Sequence, residues 1–243
     1  MVSGKYSALS GAVAREQAMA NIANNMANLS TVGFKKDTIS FEAMLRGARQ
    51  RQTTKGINYS RINAITVDFS QGPLRVTENK LDMALDGKGF FKVNGQDGTY
   101  YTRQGNFKLD SNGGLTTQSG HPVLDSGGQP ITLTELTEPI SVDDKGNISV
   151  GGFVQAQLGV FEFADPTKLK KVGSTLFQTT PENPEIVAED TRVIQGSLEL
   201  SNVNMMEEMV LMINTNRKHE AYHKVLKSYS KLSDTLGELG SVG

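Results

Sequence analysis

Apolar positions along this chain change their period twice. From residue 3 to about 29, Ala12, Met19, Ile22, Met26 and Leu29 fall on one stripe at helical spacing. Gly11 weakens that stripe, and its Ala-dominated face buries little area per turn. Ser30-Thr31-Val32-Gly33 closes the segment, with Gly33 expected in the left-handed conformation that stops a helix. Between 62 and about 200 the pattern becomes short β-branched and aromatic runs: Ala64–Phe69, Gly89–Val93 and Gln157–Phe163. Turn clusters separate them at Asn94-Gly95, Asp97-Gly98, Ser111–Gly114, Ser126–Gly128 and Asp144–Asn147. Strands so spaced, with almost no helical periodicity between them, predict an all-β body.

The last zone returns to the helical period. Asn204 with Glu207 three residues on reads as a capping box. Val203, Met206, Val210 and Ile213 mark one stripe, and Tyr222, Val225, Tyr229, Leu232, Leu236 and Leu239 mark a second. The second is a heptad seam, with Tyr222, Tyr229 and Leu236 at one core position and Val225, Leu232 and Leu239 at the other. The two stripes are out of register by two residues, so the helix is expected to change partners along its length.

These zones predict an α+β fold, mainly β, with discontinuous N- and C-terminal helices forming a coiled-coil-like domain around an inserted all-β body. The expected boundaries are 1–35 plus 200–243 for the helical domain, 36–61 for a connecting segment and 62–199 for the β body. Two helices that cover only each other still leave apolar area outside. Such helices need copies from other subunits, and alone they fray.

Composition narrows the function. Among 243 residues, 25 Lys and Arg oppose 26 Asp and Glu, a net charge of -1. That balance offers no field to hold nucleic acid or an anionic membrane. Hydrophobic residues at 37% and aromatics at 7%, without Trp, are lean for one large core and suggest burial supplied by neighbours. With no Cys there are no disulfides or thiolate metal sites. The N-terminus does not read as a secretory signal, because Ser10, Gly11, Arg15 and Glu16 interrupt its apolar stretch. No run approaches the roughly 18 apolar residues of a membrane span. Without another export route, these features point to the cytoplasm.

Three collinear stretches carry a resemblance. Ala23-Asn24-Asn25-Met26-Ala27-Asn28-Leu29-Ser30-Thr31-Val32-Gly33-Phe34-Lys35 resembles the ANNLAN-x-x-T-x-GFK signature of flagellar rod and hook proteins, with Met26 for the usual Leu and Val32 where Pro is common. Leu81–Leu85, Gly89-Phe90-Phe91 and Tyr101–Phe107 resemble that family's LD-x-A, GFF and YTR-x-G-x-F stretch. Leu198–Val203 with Glu208-Met209 resembles its LE-x-SNV and EM segment. The resemblance implies a structural rod subunit, most like a proximal one, with a distal rod or hook-type subunit as the competitor. It implies partners that are other rod proteins and copies of the chain itself. It also implies export through the flagellar type III apparatus without a cleaved signal, to a basal-body rod in the periplasmic space. No cofactor, metal, membrane insertion, nucleic acid or small-molecule substrate is expected. Assembly contacts are expected from Met19, Ile22, Asn24, Asn25, Met26, Asn28, Val203, Met206, Val210, Ile213, Tyr222, Val225, Tyr229, Leu232, Leu236 and Leu239. The amides of Asn24, Asn25 and Asn28 suit closely packed helices, with Ala23 and Ala27 permitting the approach; the alternative is a solvated face. Phe41–Leu45 is either the export motif, with Phe41 and Leu45 as its apolar positions, or a loop or strand packed on the helices.

One competing pattern stands out. His219-Glu220-Ala221-Tyr222-His223 matches H-E-x-x-H, in which two His one turn apart bind zinc and Glu is the general base. A catalytic zinc needs a third protein ligand. Tyr229 stands where one pattern needs His, and Glu238 lies almost at the chain end. A metalloprotease is therefore disfavoured. Gly87-Lys88-Gly89 is a turn before a strand, and His121-Pro122 lies in a turn. A β-rich adhesin is a third class. The acid-free stretch 46–61, with Arg46, Arg49, Arg51, Lys55 and Arg61, is either a contact to an acidic neighbour or a solvated loop.

Overall fold

The computed structural model describes the backbone of residues 2–46, 57–95, 97–134 and 138–241, with side chains except at 2–3, 42–46, 57–61, 233–234 and 236–241. The chain divides into two compact units. One comprises Met1–Ala27, Asp37–Thr66 and Asn204–Gly243, and the other Asn28–Lys36 and Val67–Val203. The fold is the expected one, with two terminal helices and an antiparallel β body.

The first unit holds helix α1 (Val2–Ala27), helix α2 (Met205–Ser241) and a pair of strands, β1 (Asp37–Arg46) and β2 (Ile57–Val67). These strands occupy much of the stretch expected as connecting segment. Thr38 Oγ1 donates to the Thr66 carbonyl across them at 3.0 Å. Arg49, Arg51 and Lys55 lie outside the described residues. At the start of α2, Asn204 accepts from the Met206 N–H at 3.1 Å, and its carbonyl receives the Glu208 N–H at 3.0 Å. A side-chain acceptor there satisfies one of the unpaired donors of the first turn.

The second unit is built on a six-stranded sheet with the order Lys170–Val172, Leu176–Gln178, Gly98–Thr102, Phe90–Gly95, Val160–Phe163, Glu185–Val187. Neighbouring strand residues point to opposite faces, so Phe90-Phe91 demands a core on each side. Phe91, Val93 and Tyr100 join Met83, Leu115, Ile148 and Val193 in the larger core. Phe90, Tyr101, Phe161, Phe163 and Phe177 form the second, closed by Phe69 with ring centroids 5.6 Å from Phe90 and 5.1 Å from Phe177. Smaller antiparallel ladders, such as Ile140–Val142, Asn147–Val150 and Phe153–Gln157, complete the unit.

Gly33 has the expected left-handed backbone, with φ +69°. It does not stop α1, which ends six residues earlier at Ala27. Its N–H donates to the Glu199 carbonyl at 2.8 Å, and a side chain on it would run into the backbone of Arg103 and Gln104. The glycine is required by a close approach inside the β unit.

Candidate assembly surface

Helices α1 and α2 run antiparallel, and their contact follows a seven-residue step. The Tyr229 ring lies against Gly4 and the Tyr222 ring against Gly11, while Asn25 Nδ2 stands 3.5 Å from Glu208 Oε1. The same step puts buried Ala18 level with buried Thr215. A methyl group on Gly11 would lie 2.5 Å from the Tyr222 ring, closer than van der Waals contact allows. The glycine that weakens α1 as an isolated helix is therefore the socket that receives an aromatic from α2. Asn25 is also fixed by β1: its Oδ1 accepts from the Asp37 N–H, and its Nδ2 donates to the Asp37 carbonyl, each at 3.0 Å. Phe41 of β1 receives the Arg15 guanidinium over its ring at 4.1 Å. Such a contact contributes about 0.5–1 kcal/mol at an exposed site.

The inward face of α2 differs from the sequence expectation. Its less exposed positions are Glu208, Met212, Thr215, His219, Tyr222, Leu226 and Tyr229, spaced four and three apart without interruption. Among the described positions, from 208 to 229, there is no register shift. Tyr222 and Tyr229 lie on this face, but its alternate positions are taken by His219 and Leu226, and Val225 and Leu232 are exposed. Met206, Val210 and Ile213 are 70%, 56% and 51% exposed, together with Met205, Met209 and Leu211. Val203 precedes the helix and is buried in the β unit. The physical reason lies on α1, where Asn25 and Ala18 face α2, so the matching positions of α2 are Glu208 and Thr215.

On α1, Ala8, Ala12, Ala14, Ala18, Ile22 and Asn25 are buried, and Met19 and Met26 are half-buried. Asn24, Ala23 and Ala27 are exposed, so the small residues that admit α2 are Gly4, Ala8, Gly11 and Ala18 instead. Asn28 belongs to the β unit, where its Oδ1 accepts from Thr31 Oγ1 at 3.1 Å. Tyr6, Leu9 and Val13 of α1 are 55%, 46% and 44% exposed. The helical pair thus encloses small, polar and aromatic residues and leaves a second set of large apolar ones outside. The side chains of Leu45, Leu236 and Leu239 lie outside the described residues.

A second arrangement was invisible to periodicity. Lys35 Nζ meets Glu199 Oε1 at 2.5 Å, and an Arg103 guanidinium nitrogen meets Glu199 Oε2 at 3.1 Å. All three groups are buried, Lys35 completely. Lys35 also donates to the Ser70 carbonyl and Arg103 to the Gly87 carbonyl, each at 2.7 Å, while Glu199 Oε1 accepts from the Gly72 N–H at 2.9 Å. Burial pulls Lys35 and Arg103 below their usual values, and Glu199 opposes that pull on both. Beside them, Asn202 Oδ1 accepts from the Lys36 N–H and its Nδ2 donates to the Asp68 carbonyl, each at 2.8 Å. The sequence signal was not a period: Lys35, Arg103 and Glu199 each sit in a different one of the three stretches that carry the family resemblance.

Each ion of this cluster falls in a segment that matches a different family model. Residues 6–35 match the flagella basal body rod protein model, 84–150 the flagellar hook protein FlgE/F/G D1 domain, and 194–239 the flagellar basal body rod FlgEFG protein C-terminal model. The chain is 32% identical to the flagellar basal-body rod protein FlgF of Caulobacter vibrioides over 91% of each chain. It is 32% identical to FlgF of Mesorhizobium japonicum over 97% of each, and 31% identical to FlgG of Bacillus subtilis over 98% of this chain and 99% of that one. The chain belongs to the flagellar basal-body rod protein family. Similarity to FlgF and FlgG is equal to within a percent, so identity alone does not choose between them.

The H-E-x-x-H residues lie on α2. Glu220 Oε1 accepts from Asn216 Nδ2 at 3.3 Å, one turn back, and the rings of His219 and His223 meet edge to face with centroids 4.4 Å apart. Among the described residues no helix is long and apolar enough to cross a membrane.

Proposed function

We propose that the chain is a structural subunit of the flagellar basal-body rod that joins its neighbours through the outward faces of its two terminal helices. The observation that carries this reading is the apolar surface left outside the helical pair: Met206, Val210 and Ile213 of α2 are exposed while Glu208 and Thr215 are buried. Exposed apolar residues in one contiguous band mark a protein contact. Helices of further copies, or of other rod proteins, supply the missing cover. Heterologous contacts of this kind repeat into an open helical array rather than closing, and many such contacts in parallel carry torque.

Finer features follow from the same reading. The subunit takes the proximal, FlgF-like position, crosses the inner membrane through the type III apparatus and resides in the periplasmic rod. Phe41 and Leu45 on β1 supply the export motif, which the export machinery reads before the strand folds against Arg15. Fractionation tests position directly. Detergent-extracted basal bodies should contain the chain, with antibody labelling at the membrane-proximal end of the rod. Labelling at the hook end would assign the distal position, and absence from basal bodies would overturn the assignment as a rod subunit.

A further inference from the structure

The paired histidines of α2 have the geometry of a metal chelate. His219 and His223 are one turn apart, and their Nε2 atoms stand 3.1 Å from each other with the ring planes inclined at 73°. Two imidazole nitrogens bound at about 2.0–2.1 Å are separated by about 2.9 Å at a right angle and about 3.3 Å at the tetrahedral angle. The observed separation, within hydrogen-bond distance, lies between these limits, so a cation that displaces the shared proton needs no change in the nitrogen spacing. His223 is exposed and His219 half-buried, which leaves the outer side of the pair open. Arg15, level with His219 on α1, has its guanidinium stacked on Phe41. Glu220 is held by Asn216.

We propose that His219 and His223 form a two-ligand site for a divalent transition metal of the class that imidazole favours: zinc, nickel or copper. Both rings bind through Nε2 and carry their proton on Nδ1. Among the described residues no group of three or more His, Cys, Asp or Glu is placed to hold a metal, so the remaining positions are filled by water or by a donor from a neighbouring copy. This makes the site a surface chelate and not a catalytic centre. It is independent of the assignment as a rod subunit.

The test is calorimetric titration of the purified full chain with nickel(II) and copper(II) salts. One equivalent should bind, and His223→Ala, at an exposed position, should weaken binding by about tenfold or more, equivalent to about 1.4 kcal/mol. His219→Asn should do the same, with circular dichroism checking that α2 is retained. The third histidine of the chain, His121, lies in the β unit beside Tyr100, and His121→Ala should leave binding unchanged. Equal binding by wild type and His223→Ala, or loss of binding on His121→Ala, overturns the proposal.

Discussion

At the scale of single residues, the β unit depends on charges that water does not reach. Glu199 faces two buried cations, so its carboxylate is the only negative group in direct ion-pair contact with either Lys35 or Arg103 among the described residues. Replacing it by a neutral isostere leaves both buried cations without an ion-pair partner, with only the more distant charges of Asp68 and Glu162 to oppose their desolvation. Breaking a buried ion pair costs about 3–5 kcal/mol. Glu199→Gln should therefore lower the unfolding free energy by about that amount, read from the denaturant midpoint at unchanged slope. A second residue sets an alkaline limit. Burial and the Glu185 carboxylate, to which Tyr101 donates, raise the Tyr101 phenol well above its ordinary value. Above about pH 10 the unfolded chain releases this proton while the folded chain keeps it. The folded state then binds more protons than the unfolded one, so stability falls as pH rises. Tyr101→Phe removes the group from both states. The difference in stability between wild type and this variant should be flat below pH 9 and slope against wild type above pH 10. Parallel profiles across that range would mean that the phenol ionises freely in the folded protein.

At the scale of elements, the contact between α1 and α2 is set by shape as much as by apolarity. Gly→Ala within a helix ordinarily stabilises by about 1 kcal/mol. At Gly11 the added methyl meets the Tyr222 ring, and overpacking of this kind costs about 1–3 kcal/mol. Gly11→Ala should thus destabilise the helical pair in the wild-type chain and become neutral or stabilising in a Tyr222→Ala background. That reversal of sign would appear as a coupling energy in a double-mutant cycle by thermal unfolding, and additive effects would refute the socket. The same pair explains what the sequence could and could not convey. The existence of both helices, the Asn204 start and the strand at Phe90-Phe91 were legible because each rests on local period or local capping. The facing of α2 was not legible, because apolarity marks burial without saying in what. Met206, Val210 and Ile213 form a stripe that α1 does not cover, and the residues that α1 does cover include Glu208 and Thr215. β1 was legible only as one of two readings of Phe41–Leu45, because Asp37–Arg46 mixes polar and apolar positions beside a basic stretch. The ion cluster escaped because Lys35, Arg103 and Glu199 lie far apart in sequence, and no window includes two of them.

At the scale of the whole molecule, a net charge of -1 gives subunits little long-range attraction or repulsion, so association must come from short-range burial. The outward bands on α1 and α2 are where that burial is available. Inward and outward positions of α2 then predict different failures. Leu226 lies on the face toward α1, and Leu226→Asp should destabilise the free subunit by placing a charge in the helical seam. Val210 is more than half exposed, and Val210→Asp should change the stability of the free subunit by no more than about 0.5 kcal/mol, the usual range for surface substitutions. In a rod, however, that carboxylate would be buried against a neighbouring helix without a partner. Cells whose only copy carries Val210→Asp should therefore make a folded subunit that is absent from isolated basal bodies, and they should not swim in soft agar. Leu232→Asp, at another exposed position of α2, should behave in the same way. Wild-type swimming with normal basal-body content in both variants would mean that the outer face of α2 stays in water in the assembled rod, and subunit contacts would then have to be sought on the β unit.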